Sequence, residues 1–104
     1  MSLNINDIIK DMANSAKKSL QKEGNGVGDE VLNILEKNKD NLAELAAARS
    51  QGNIDEKDFK IEIEREKQVL EVQLLAMEIA SKSAIQKAMN AAMSTLTNAV
   101  SAAI

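Results

Sequence analysis

Residues Asp55–Ile104 read DEKDFKIEIEREKQVLEVQLLAMEIASKSAIQKAMNAAMSTLTNAVSAAI. These fifty residues contain neither Gly nor Pro, so no residue in them forces a helix to stop. The pattern predicts one long helix over about 55–103. As a single α-helix the stretch would reach roughly 75 Å, far beyond an average helix, so other segments must lie along it.

The stretch has three zones. Residues 55–71 carry seven acids and four bases, the signature of a solvated helix face. Lys60–Glu64, Lys67–Glu71 and Glu78–Lys82 sit at helical pairing distance. Residues 69–80, VLEVQLLAMEIA, are apolar at nine of twelve positions, an arc wide enough to touch more than one neighbouring helix. Beyond Lys87 there is no charge. Across residues 85–104, Ile85, Met89, Ala92, Leu96 and Ala99 alternate by fours and threes, and Ala88, Met93, Val100 and Ile104 widen the stripe. The expectation is that these nine residues form a seam for another helix, in a second copy of the chain or in another helical protein.

Working back from this stretch, Gly52-Asn53-Ile54-Asp55 is a sharp turn signal over 52–55. Gly52 suits the left-handed position that closes a helix, and Asp55 is a good N-cap. Ile54 and Phe59 are placed as a hydrophobic staple. The second and third helices should therefore form an antiparallel hairpin, with facing residue numbers summing to about 107. The second helix is predicted over 29–51, with Val31, Leu35, Asn38, Leu42, Leu45 and Arg49 at coiled-coil spacing. Asn38 is expected at the wet edge of that seam; the alternative is a register-setting polar pair.

The Gly-rich run 24–28 reads as a linker. A phosphate-binding loop would need a preceding strand and a following Lys-Ser/Thr. The first helix is predicted over 5–22, capped by Asn4 or Asn6, with Ile5, Ile8, Ile9, Met12, Ala13, Ala16 and Leu20 on one stripe. It can run in line with the second helix and cover the C-terminal seam, or fold back on the 69–80 belt. A third arrangement breaks the last helix near Ser81-Lys82-Ser83 and closes a four-helix bundle.

The fold class is all-α: an elongated helical bundle with two shorter helices on one long C-terminal helix, in a single domain over residues 1–104. Composition agrees. The chain lacks Pro, Cys, His, Trp and Tyr, and Phe59 is its one aromatic residue. Ala, Leu, Glu, Lys, Gln and Met, which are good helix formers, dominate.

The same absences bear on function. Without His, Cys and Tyr most acid–base, nucleophilic and soft-ligand chemistry is lost, so no catalytic residue, cofactor or metal site is assigned. Gly52–Phe59 resembles the back half of an EF-hand loop. In that register Ala47, Arg49 and Gln51 would occupy ligand positions, where calcium needs oxygen donors and negative charge. Glu62 and Glu66 share a face but lack a second ligand type. A net charge of −3 without a basic patch argues against nucleic acid. Residues 88–104 hold six polar side chains, too many for a transmembrane span, and lack the basic and aromatic anchors of a membrane-surface helix. No secretory signal is visible, and a cytoplasmic location is favoured.

The outline resembles that of several bacterial helical-hairpin classes: secretion-needle subunits, small secreted hairpin dimers and export chaperones. The Trp-x-Gly turn of one and the Pro-containing turn of another are missing, and no family is assigned. The functional expectation is a non-enzymatic structural or protein-interaction module acting as a homo-oligomer, with a dimer favoured. It would be an assembly adaptor, chaperone or filament subunit. The rivals are a membrane-surface protein acting through residues 84–104 and a metal-binding or enzymatic bundle.

Overall fold

The computed structural model describes residues 4–21 and 27–104. Among these it has five helices and no strand: α1 (Ile5–Ser19), α2 (Val27–Lys37), α3 (Lys39–Ser50), α4 (Glu56–Ala76) and α5 (Lys82–Ala103). They form an all-α bundle in which α1, α3 and α4 pack on the C-terminal helix α5, α1 being its main partner, while α2 packs chiefly on α1 and α4.

The long helix expected over 55–103 is in fact two, α4 and α5, separated by Met77–Ser81. The chain closes this way because a fifty-residue helix would leave most of the charge-free seam in water. Turning α5 back buries it. At the turn the N–H groups of Met77 and Glu78 donate to the carbonyls of Leu74 and Leu75, both at 3.1 Å. Glu78 takes a left-handed φ of 55°. Ser81 then caps α5, its Oγ accepting from the Ala84 N–H at 3.1 Å. The Lys67 ammonium donates to Asn90 Oδ1 at 2.8 Å, which sets α4 and α5 antiparallel about the turn. The radius of gyration is 13.1 Å, the size of a compact domain of this length, and the long extent is 39 Å. The bundle is thus about one helix long, not the rod the unbroken helix implied.

The helix expected over 29–51 starts at Val27 and is interrupted at Asn38. Asn38 Nδ2 donates to the Ile34 carbonyl at 2.8 Å and competes there with the backbone N–H of the same residue, which stretches to 3.2 Å from both Ile34 O and Leu35 O. The helix expected over 5–22 ends at Ser19. Of the 24–28 linker, Val27 and Gly28 belong to α2, and residues 24–26 lie outside the described residues.

The turn between α3 and α4 is as its residues dictate. Gly52 has φ 79°, and the Gly52 and Asn53 N–H groups donate to Arg49 O and Ala48 O at 3.1 and 2.8 Å. This is the glycine-closed helix end of the Schellman type. Asp55 Oδ1 accepts from the Asp58 N–H at 2.8 Å, Phe59 is buried, and Ile54 packs half-buried against the core. At the other end of the chain Asn4 caps α1, accepting from the N–H groups of Asn6 and Asp7.

The core runs through all five helices. Fully covered side chains include Ile9 and Met12 of α1, Leu35 of α2, Leu42 of α3, Leu70 and Leu74 of α4, and Ile85, Met89 and Leu96 of α5. Alanines at Ala13, Ala16, Ala88 and Ala92 are buried too, and they let the α1 and α5 backbones approach closely.

Candidate interaction surface

The nine seam residues are mostly inside the chain's own core. Ile85, Ala88, Met89, Ala92, Met93, Leu96 and Val100 are buried, Ala99 is half-buried, and Ile104 is 63% exposed. The covering element is chiefly α1, one of the arrangements open from the sequence. One polar contact marks the junction. Ser15 Oγ of α1 and Thr95 Oγ1 of α5 lie 2.6 Å apart, and each also lies within bonding distance of its own helix, at Asp11 O and Ala91 O. Two hydroxyl protons cannot serve three acceptors. One hydroxyl therefore donates across the junction and gives up its carbonyl.

The exposed apolar surface lies instead on α4. Val72 is 66% exposed, Ile61 45%, Val69 43%, and Met77, just past the helix end, 38%. Ile61, Arg65, Gln68, Val69, Val72 and Ala76 recur at threes and fours on one side. Phe59, Ile63, Leu70 and Leu74, spaced by four, seven and four, lie on the other. Residues two apart on a helix stand about 200° apart, so Val72 faces away from both Leu70 and Leu74. α4 is therefore apolar on two opposite sides, and only one is used within the bundle. The wide arc of residues 69–80 was expected to touch more than one neighbouring helix; α4 packs on α2, α3 and α5, and Val69, Val72 and Met77 on the arc's outer side stay exposed. An open groove of about 450 Å³ follows this outer side, lined by Arg65, Gln68, Val69, Val72 and Gln73. The signal was present in the sequence as the second stripe, but spacing does not say which of two stripes a fold buries.

A second cleft, about 300 Å³, runs between α3 and α4, lined by Asn41, Glu44, Leu45, Ala48, Ile54, Glu62 and Glu66. Burial, and then the neighbouring Glu62 carboxylate, raise the Glu66 pKa above its ordinary value. Glu66 Oε2 is buried without a hydrogen-bond partner. The cleft concentrates negative charge, yet no group of three His, Cys, Asp or Glu among the described residues is arranged to hold a metal ion. The charged pairs on α4 are Lys60–Glu56, Arg65–Glu62 and Lys67–Glu64. They replace the expected Lys60–Glu64 and Lys67–Glu71, and the turn at Glu78 separates Glu78 from Lys82. Mostly exposed, such pairs add little stability.

No described helix is long and apolar enough to cross a membrane. Comparison with protein-family models, with curated proteins and with solved structures found no match.

Proposed function

We propose that this chain is a non-enzymatic helical interaction module that self-associates, using the outer side of α4 as its contact face. The observation that carries the reading is the exposed Ile61, Val69, Val72 and Met77 set on a helix whose opposite side is already buried. Contiguous exposed apolar side chains bordered by polar ones are typical of contact sites. Arg65, Gln68 and Gln73 supply such a border. A stable interface buries roughly 800 Å² per partner, so these four side chains would be its centre and the polar border its rim. A second copy is the favoured occupant because a self-complementary patch closes at two copies. The composition supports the non-enzymatic part: His, Cys, Tyr and Trp are absent from the whole chain.

Sedimentation velocity at tens to hundreds of micromolar tests this. The wild type should sediment as a dimer or higher oligomer. Val72→Glu should return it to a monomer of unchanged helicity. A wild-type chain that stays monomeric throughout that range overturns the proposal.

A further inference from the structure

We infer that the α4–α5 turn is a hinge through which two copies of the chain exchange α5, so that the self-associated form is a domain-swapped dimer. This rests on the self-association proposed above but not on the outer side of α4.

Among the described residues two helices are followed by a residue in the left-handed conformation, and the two turns are built differently. After α3 the left-handed position is filled by Gly52, with φ 79°. After α4 it is filled by Glu78, with φ 55°. Glycine takes that conformation without strain, whereas a residue with a side chain does not. The first turn is relaxed and the second strained. The turn is also short: Met77–Ser81 join the two helices, and no Gly or Pro occurs anywhere after Gly52. Leu75, Ala76, Met77 and Glu78 are good helix formers and Ile79 a fair one. Continuing α4 through them would relieve Glu78. Short hinges under strain are the usual setting for exchange between protomers.

The geometry of the opened form is consistent. Leu70 and Ala88 are eighteen residues apart, as are Leu74 and Ala92. Eighteen residues make about five turns of α-helix. All four are core residues. In a continuous helix over 56–103 the buried face of α4 would run straight on into the buried face of α5. Opening therefore carries the seam of α5 away with its apolar side still aligned. What it leaves is a groove among α1, α3 and α4, the helices α5 packs on. A second opened copy has both the missing helix and the vacant groove. Every contact of α5, including Ser15 with Thr95 and Lys67 with Asn90, then re-forms between chains. Two strained Glu78 residues become helical in the process.

The absence of cysteine makes the test clean. Ser15→Cys and Thr95→Cys place one thiol on each side of the α1–α5 junction, at a contact of 2.6 Å between the native oxygens. After oxidation of the isolated dimer, a non-reducing gel should show covalently linked pairs of chains. Two hinge variants give an independent reading in a cysteine-free chain. Glu78→Gly suits the turn and weakens the continuous helix, and should lower the dimer association constant by at least roughly tenfold, since two hinges enter each dimer. Glu78→Val penalises the turn and should raise the constant. The wild-type dimer needs no substitution for small-angle scattering. It should show a longest dimension near 70 Å, from the fused helix, against 39 Å for the closed bundle.

Disulfides found only within chains of the isolated dimer overturn the exchange. If Val72→Glu also dissociates that dimer, the outer-face reading stands without it. Interchain disulfides in a dimer indifferent to Val72→Glu support the exchange and remove the outer-face reading. A chain monomeric at all concentrations, in the wild type and in Glu78→Val, overturns both.

Discussion

The side-chain amide of Asn38 holds two helices at once, donating to the carbonyl of Ile34 and to Gln73 Oε1, each at 2.8 Å. The residue is 7% exposed, the one buried polar side chain among the described residues. It was expected at a wet edge. Instead it divides α2 from α3 and ties that division to α4. Asn38→Ala removes both bonds and leaves Gln73 without its donor, at a cost of roughly 1–3 kcal/mol. Replacing both partners, Asn38→Leu with Gln73→Leu, should be nearly neutral, because no buried polar atom is left unmatched. Urea unfolding of the single and double variants measures the difference. Equal losses in the two would show that the pair does not act as a unit.

Leu74 and Val72 are two residues apart and should respond oppositely. Leu74 is 1% exposed, and Leu74→Ala should cost about 2–5 kcal/mol, with a fall in Tm of about 10 °C or more. Val72→Ala should stay within about 0.5 kcal/mol of wild type in the monomer. Thermal melts at low micromolar concentration compare them. A large loss at Val72 in the monomer would mean that the outer side of α4 is covered by the chain itself.

At the α3–α4 turn the cost of substitution is conformational. A Cβ on Gly52 would meet nothing within 4 Å, yet its φ of 79° disfavours any side chain. Gly52→Ala should cost about 1–2 kcal/mol. Asp55→Ala, which deletes the N-cap of α4, should cost about 1 kcal/mol. The two share one turn, so the double variant should depart from the sum, and a double-mutant cycle in urea reads the departure.

Glu66 gives the fold a pH dependence of defined sign. Burial first, and the Glu62 carboxylate second, raise its pKa in the folded chain. The folded state therefore holds this proton more tightly than the unfolded state. The stabilisation is full below the ordinary Glu pKa and is lost as pH rises through the raised value. Glu66→Gln should stabilise the chain at pH 7, with about 0.2–0.5 kcal/mol expected from the like-charge pair alone. The gain should shrink toward pH 3.5. Urea titrations at the two pH values check it, and a gain as large at pH 3.5 would point to a cause other than charge.

Much of the fold is legible residue by residue. Gly52, Asp55 and Phe59 announce their turn because each acts through its nearest neighbours, by backbone conformation, capping or stapling. Asn4 and Ser81 are equally local. The α4–α5 break was visible as one alternative near Ser81-Lys82-Ser83, but Glu78 bears no mark of a left-handed residue. Its conformation is imposed by closure of the bundle. The contact surface was harder still. Ile85–Val100 and Ile61–Val72 are both apolar stripes at helical spacing, and only packing decides which one meets α1.

Sequence alone determined the helical class, the hairpin at 52–55 and the lack of the residues most enzymes use, because composition and short-range capping need no tertiary context. The tertiary structure decided where the last fifty residues turn back and which apolar stripe remains outside. The reason is the same for both. No strong helix breaker lies between Glu56 and Ala103, so burial of the charge-free seam against α1, and not local propensity, sets the strained turn at Glu78 and leaves Val72 facing outward.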